Sequence, residues 1–127
     1  MVKYNNVNYK VTEIEKGAFQ RCKNLFGVSG GKNVKKIGDN AFAYCTNLNG
    51  VITGKNLTSM GKKVFYKCKK LDSITFKSKK LKKIGKKTFS GIYKSATIYV
   101  PASKEVKYQK LFYKAGLKKN TRIRKKN

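Results

Sequence analysis

Three cysteines, Cys22, Cys45 and Cys68, stand 23 residues apart, and evenly spaced thiols raise metal binding or redox chemistry first. Zinc sites draw on closely spaced ligand pairs, which are missing here. Thiols at equivalent places in successive turns of a repeating chain lie a rung or more apart, beyond the roughly 3.8 Å between the Cβ atoms of a disulfide. The expectation is three free thiols filling equivalent small apolar slots. The five carboxylates, Glu13, Glu15, Asp39, Asp72 and Glu105, form no pair suited to acid–base work. The chain has no histidine, so no Ser or Thr has a His partner to activate it. Gly27, Gly30 and Gly31 match neither glycine-rich phosphate pattern. The reading is non-catalytic, with no cofactor and no metal site.

Lysine is the remaining chemistry. The 127 residues carry 32 Lys and Arg against five Asp and Glu, a formal net charge of +27. Residues 1–50 hold eight basic and three acidic side chains, and residues 51–127 hold 24 and two. Only Arg21, Arg122 and Arg124 are arginines. Lysine is a compact, hydrated point charge without the guanidinium fork that reads base edges or phosphates bidentately, so the bias points to solubility or diffuse attraction for anions. At 39% hydrophobic and 12% aromatic, the chain nonetheless has the apolar mass for a modest core, which separates it from charged disordered chains.

The elements that must carry these side chains follow from an internal repeat. Phe19, Phe42 and Phe65 step by 23 residues and Phe89 by 24; Leu25, Leu48 and Leu71 keep the step of 23. Further columns are Ile14, Ile37, Met60 and Ile84; Val11, Val34, Leu57 and Leu81; and Val28, Val51, Ile74 and Ile98. The extra residue of the third interval falls near Lys77 to Lys80. A unit this short cannot bury its own apolar face, whereas stacked units bury one another's, which makes a solenoid. Residues 48–53, 71–76 and 96–100 read as short strands forming one parallel sheet with one strand per coil. Residues 41–45 and their equivalents read as a short helical turn opposite. Gly38, Gly61 and Gly85 mark a tight bend or a positive φ, with Glu15 in that place in the first copy.

Both ends read as caps. Val2, Tyr4, Val7, Tyr9 and Val11 alternate about a turn at Asn5-Asn6, the pattern of a hairpin. After Pro101, Ser103 is the expected N-cap of a helix with Tyr108, Phe112 and Ala115 on its inner face and its stop at Gly116. Lys118 to Asn127 is expected to fray. The predicted class is an α/β solenoid in one domain, 1–127: a hairpin cap over 1–10, about four repeats of 23–24 residues over 11–100, and a helix with a tail over 101–127.

The segment from Ile37 to Leu48, Ile-Gly-Asp-Asn-Ala-Phe-Ala-Tyr-Cys-Thr-Asn-Leu, echoed from Met60 to Leu71 and from Ile14 to Leu25, resembles the BspA-type leucine-rich repeat of bacterial surface proteins. The likeness covers roughly residues 11–100, and the closing strand, proline and short helix are also similar to that family. The resemblance implies a leucine-rich repeat stack, secreted or displayed at the cell surface as part of a longer protein. It implies adhesion or binding of a host or cell-surface protein rather than catalysis. No signal peptide opens the sequence and no apolar run reaches the roughly 20 residues of a membrane span. A monomer is the expected state.

Two surfaces are candidates for binding. With Val28, Val51, Ile74 and Ile98 inward, Ser29, Ile52, Thr75 and Tyr99 face outward; this row is either ordinary exposed surface or a strip for a protein partner. Lys36 and Lys83 share one repeat position, as do Lys62 and Lys86, with Lys63 and Lys87 beside them. Stacked, they form a ladder that is either a solvated face or a binding site for an anionic polymer: cell-wall polymer, glycosaminoglycan, nucleic acid or lipid headgroups.

Overall fold

The apolar columns become continuous internal spines. The computed structural model describes the backbone of residues 2–4 and 7–9 and, in full, residues 12–126. Strands β1 (Val2–Tyr4) and β2 (Val7–Tyr9) pair antiparallel. The predicted turn at Asn5-Asn6 and the side-chain alternation from Val2 to Val11 lie outside the described residues. Then follow β3 (Glu13–Ile14), β4 (Gly27–Ser29), β5 (Lys36–Ile37), β6 (Gly50–Ile52), β7 (Ser59–Met60), β8 (Ser73–Thr75), β9 (Lys83–Ile84) and β10 (Thr97–Pro101). The chain ends in helix α1 (Glu105–Lys114) and strand β11 (Arg122–Lys126).

Each coil contributes to two parallel sheets rather than the one expected. The five-stranded sheet runs β4-β6-β8-β10-β11 and the four-stranded sheet β3-β5-β7-β9. The second arises from the Ile14, Ile37, Met60 and Ile84 column, whose members pair in register. Its strands are two residues long, too short to show the alternation by which a strand is recognised.

The segment around the phenylalanine column is not helical. Its N–H groups alternate between two destinations. Ala41, Ala43 and Cys45 donate three residues back, to Gly38, Asn40 and Phe42. Asn40, Phe42 and Tyr44 donate to the next coil, to Lys62, Val64 and Tyr66. A ribbon of turns of this kind needs left-handed residues at fixed places. Gly17, Asn40, Lys63 and Lys87 form one positive-φ column, and Arg21, Tyr44, Lys67 and Gly91 the other. Helical geometry would turn all these N–H groups inward on their own coil and leave the next coil's carbonyls unpaired.

The glycines of the Ile column serve close approach, not positive φ. A Cβ on Gly38 would lie 2.6 Å from the Lys16 nitrogen, one on Gly61 2.6 Å from the Asp39 nitrogen, and one on Gly85 2.6 Å from the Lys62 Cα. Coils touch there backbone to backbone, closer than any side chain permits.

Inside, Phe42 and Phe65 are buried, with Phe19–Phe42 centroids 5.4 Å apart and Phe42–Phe65 5.9 Å, both stacked. The spine runs on through Phe89 to Phe112 of α1, centroids 5.4 Å apart edge to face. Phe19, on the first coil, is 40% exposed. Helix α1 and its C-cap bury Tyr108, Phe112 and Ala115 against the last coil, while Val106 is exposed. Ser103 does not cap it: a 3-10 turn, Ala102–Lys104, intervenes and Lys104 holds the N-cap place without a side-chain bond. Gly116, at φ 94°, ends the helix as its sequence suggests. The tail does not fray through residue 126: β11 pairs parallel with β10, placing Ile123 opposite Ile98.

The one-residue insertion is anchored by the helix. Ser78 is fully buried, its hydroxyl donating to the Leu57 carbonyl at 2.6 Å. The Tyr108 hydroxyl donates to the Ser78 carbonyl at 2.7 Å and accepts the Leu81 N–H at 3.1 Å.

Two stability measurements follow. Gly85→Ala is expected to lower unfolding free energy by about 2–4 kcal/mol, because its Cβ meets backbone. Gly50→Ala, which meets nothing within 4 Å, is expected to change it by less than about 1 kcal/mol. Equal denaturation midpoints for the two would remove the close-approach account. Tyr108→Phe is expected to cost about 1–3 kcal/mol by leaving a buried carbonyl and N–H without their shared partner.

Candidate functional site

The predicted outward row exists as one line of side chains. Ser29, Ile52, Thr75 and Tyr99 are paired rung to rung across β4, β6, β8 and β10, and Arg124 of β11 extends the line. Behind them Val28, Val51, Ile74, Ile98 and Ile123 face the core. Exposure along the row is uneven. Ser29 is exposed, Ile52 is 40% exposed, and Tyr99 is half-buried with the Lys126 ammonium 5.2 Å from its ring centre. Thr75 is buried, a correction to its expected exposure: it is the small member between two larger rung neighbours.

Of the two expected lysine sets, one is interrupted and one adjoins. On the four-stranded sheet the row reads Glu13, Lys36, Ser59, Lys83. Lys36 and Lys83 therefore stand two rungs apart, with a serine between and a carboxylate beside Lys36. Lys62 and Lys86 do lie on adjoining coils, and the Lys63 N–H donates to the Lys86 carbonyl at 2.9 Å. One coil earlier this position is Asp39, whose carboxylate accepts the Lys62 N–H at 2.9 Å. Lys63 and Lys87 occupy the first positive-φ column. The six lysines thus fall into one compact group, Lys62, Lys63, Lys86 and Lys87, and two separated members.

Aromatic side chains sit among basic ones on the turn ribbon. The Arg21 guanidinium lies 4.3 Å from the Tyr44 ring centre, and Tyr44 meets Tyr66 edge to face at 5.6 Å. Lys63 and Lys67 lie 5.1 and 5.7 Å from the Tyr66 ring centre. The signal was in the sequence: Arg21, Tyr44 and Lys67 share one repeat position. It needed the ribbon geometry to show that Tyr66 joins them.

A family model for the "BspA type Leucine rich repeat region" matches residues 2–122 in six copies. The chain belongs to the BspA-type leucine-rich repeat family. Among solved structures it is similar to a leucine-rich repeat protein from Bacteroides ovatus, at 26% identity and a TM-score of 0.73, over 91% of this chain. The match spans 28% of that protein's chain. No curated protein matches. Membership in this leucine-rich repeat family points to an interaction module rather than to a particular reaction. None of the described helices is long and apolar enough to cross a membrane.

The repeat gives its cysteines a structural task. The Cys45 thiol donates to the Phe19 carbonyl at 3.1 Å, and the Cys68 thiol to the Phe42 carbonyl at 3.0 Å. Each of those carbonyls also accepts a backbone N–H from its own coil, so the thiol takes the second lone pair across the coil interface. Cys45 and Cys68 are buried and Cys22 half-buried, all three unpaired. Burial pushes the Cys45 thiol up and the Cys68 thiol up to about 12, from an ordinary 9.0. No group of three metal-ligating side chains occurs among the described residues.

Thiol titration of the native protein is expected to show Cys22 reacting fast and the other two only on unfolding; prompt reaction of all three would oppose the core assignment. Between pH 9 and about 12 the folded chain keeps the Cys68 proton that the unfolded chain has released. Stability therefore falls as pH rises through that window, and Cys68→Ser is expected to flatten the fall.

Proposed function

We propose that this leucine-rich repeat chain is a non-catalytic module for protein–protein interaction or adhesion, displayed at the cell surface or secreted as part of a longer protein, and binding through the outward row of the five-stranded sheet. The observation that carries this reading is the row itself. Ser29, Ile52, Thr75, Tyr99 and Arg124 stand at one-rung steps on strands fixed by the core behind them. Ile52 supplies an exposed apolar centre between polar neighbours, the composition of a small interface core with its rim. The scattered carboxylates support the non-catalytic part: Asp39 is occupied by a backbone N–H and Glu105 stands 3.9 Å from Lys125.

A second reading, capture of an anionic polymer such as cell-wall polymer, glycosaminoglycan or nucleic acid, is favoured by the Lys62, Lys63, Lys86 and Lys87 group. The interruptions at Ser59 and Glu13 count against a longer track. Binding to immobilised host and cell-surface proteins, compared with heparin, anionic cell wall and DNA over a salt series, separates the two. The interaction reading expects a protein ligand retained at moderate salt and lost on Ile52→Asp. Retention on polyanions alone, vanishing as salt rises and indifferent to Ile52→Asp, would replace it with the polymer reading.

A further inference from the structure

The one-residue insertion of the repeat builds a second feature. The insertion draws Ser78 into the core, held by Leu57 and Tyr108. Its neighbours are thereby turned out: Lys77, Lys79 and Lys80 are all exposed. They overhang a trough of about 1110 Å³ at the ends of β6, β8 and β10, with Lys55 on the adjoining coil and Lys126 at the end of β11. The trough has no carboxylate in its lining. Two of its ammonium groups are already placed, Lys80 3.0 Å from the Asn56 side-chain oxygen and Lys126 over the Tyr99 ring. Lys55, Lys77 and Lys79 have no ion-pair partner among the described residues. Between these walls the open apolar group is Ile52, 40% exposed, with Phe76 and Pro101 buried beneath the floor.

We propose that this trough is the docking site for an acidic peptide segment that carries an apolar side chain. The claim rests on the interaction-module reading and names the partner's chemistry. Five lysines around one trough with no carboxylate in its lining favour an anionic ligand. Lysine, a point charge without fork geometry, suits carboxylates approaching from varied directions. The exposed Ile52 between the walls favours a ligand with an apolar side chain over a purely ionic one, since a sulfated sugar or phosphate chain would cover it with charged groups that gain nothing from the contact. The volume exceeds the roughly 300–1,000 Å³ of pockets that enclose small molecules, which suits a length of chain laid across rungs. The hydrogen bonds of Tyr108 and Ser78 hold the overhanging loop in place before the ligand arrives, so little order is lost on binding.

The test is fluorescence anisotropy of the whole chain with a labelled Glu-rich peptide bearing one central Phe, beside the same peptide with Ser in that place. The Phe peptide is expected to bind about tenfold tighter than the Ser peptide. Lys77→Glu with Lys79→Glu is expected to weaken it about tenfold, while Lys62→Glu with Lys86→Glu changes it by less than about threefold. The thermal midpoint of each variant verifies that it folds. Equal affinity for the two peptides overturns the proposal, as does equal loss in both lysine variants, because each leaves only diffuse charge. A sulfated oligosaccharide that binds as tightly as the Phe peptide, and loses as much on Lys77→Glu with Lys79→Glu, assigns the trough to a polymeric anion and overturns it too. A protein ligand sensitive to Ile52→Asp but indifferent to the Lys77 and Lys79 changes overturns the trough while leaving the interaction-module reading intact.

Discussion

Everything in this molecule depends on coils meeting backbone to backbone. At Gly38, Gly61 and Gly85 the chain lies so close to the preceding coil that a methyl group has no room. This contact sets the spacing at which the turn ribbon can hand every second N–H to the next coil. It also sets the distance at which phenylalanine rings stack at 5.4 and 5.9 Å. A wider gap would cost the ribbon its bonds and the spine its contacts together, because both are spent on the same interface. Stability in such a stack is a matter of neighbours: each coil completes the one before it. The Cys45 and Cys68 thiols belong to the same interface, each occupying the second lone pair of a carbonyl on the neighbouring coil.

The columns of the sequence made the stack legible because the interface repeats at fixed side-chain types. Phe, Cys, Leu and the inward Val or Ile all reappear as buried spines. What stayed hidden was backbone geometry. A run such as Ala41 to Cys45 has the composition of a helical turn, and nothing in its side chains says that Tyr44 adopts positive φ. The column containing Asn40 also contains Gly17, Lys63 and Lys87, and the one containing Tyr44 also contains Arg21, Lys67 and Gly91. These sets share a conformation without sharing a chemistry. A left-handed residue other than glycine costs roughly 1–2 kcal/mol, which the inter-coil hydrogen bonds must offset. The closing strand was hidden for a related reason. Arg122 to Lys126 is almost wholly charged, and only Ile123, 25 residues after Ile98, continues an apolar column. Its pairing with β10 comes from backbone groups, which every sequence has.

The candidate surfaces were legible as positions and not as exposures. Rung pairing placed Ser29, Ile52, Thr75 and Tyr99 in line, but the burial of Thr75 depends on the sizes of its neighbours on other coils. The lysines show the same limit more sharply. Shared repeat positions suggest a ladder, whereas stacking puts Ser59 between Lys36 and Lys83 and Asp39 against the Lys62 backbone. These interruptions reduce the repulsion that equal charges a rung apart would impose. A chain with net charge +27 can stack because its coils do not repeat their charges as faithfully as their core.

That difference between core and surface bears on where function resides. The spines are common property of every coil, and a surface that repeated as faithfully would present the same chemistry at each rung. Individuality enters where the period fails. The insertion between Leu57 and Leu81 sends Ser78 inward and three lysines outward, and the aromatic helix that covers the last coil supplies the hydroxyl that holds it there. Tyr108 therefore serves two ends with one side chain: its ring closes the apolar stack and its oxygen shapes the loop beside the outward row. A loop tied to the core in this way moves little when a ligand arrives, so the positions of its charges are fixed by folding rather than by binding. The proposed trough thus joins the departure from the repeat to the outward row at Ile52 and Thr75, with the regular coils as the frame that holds both.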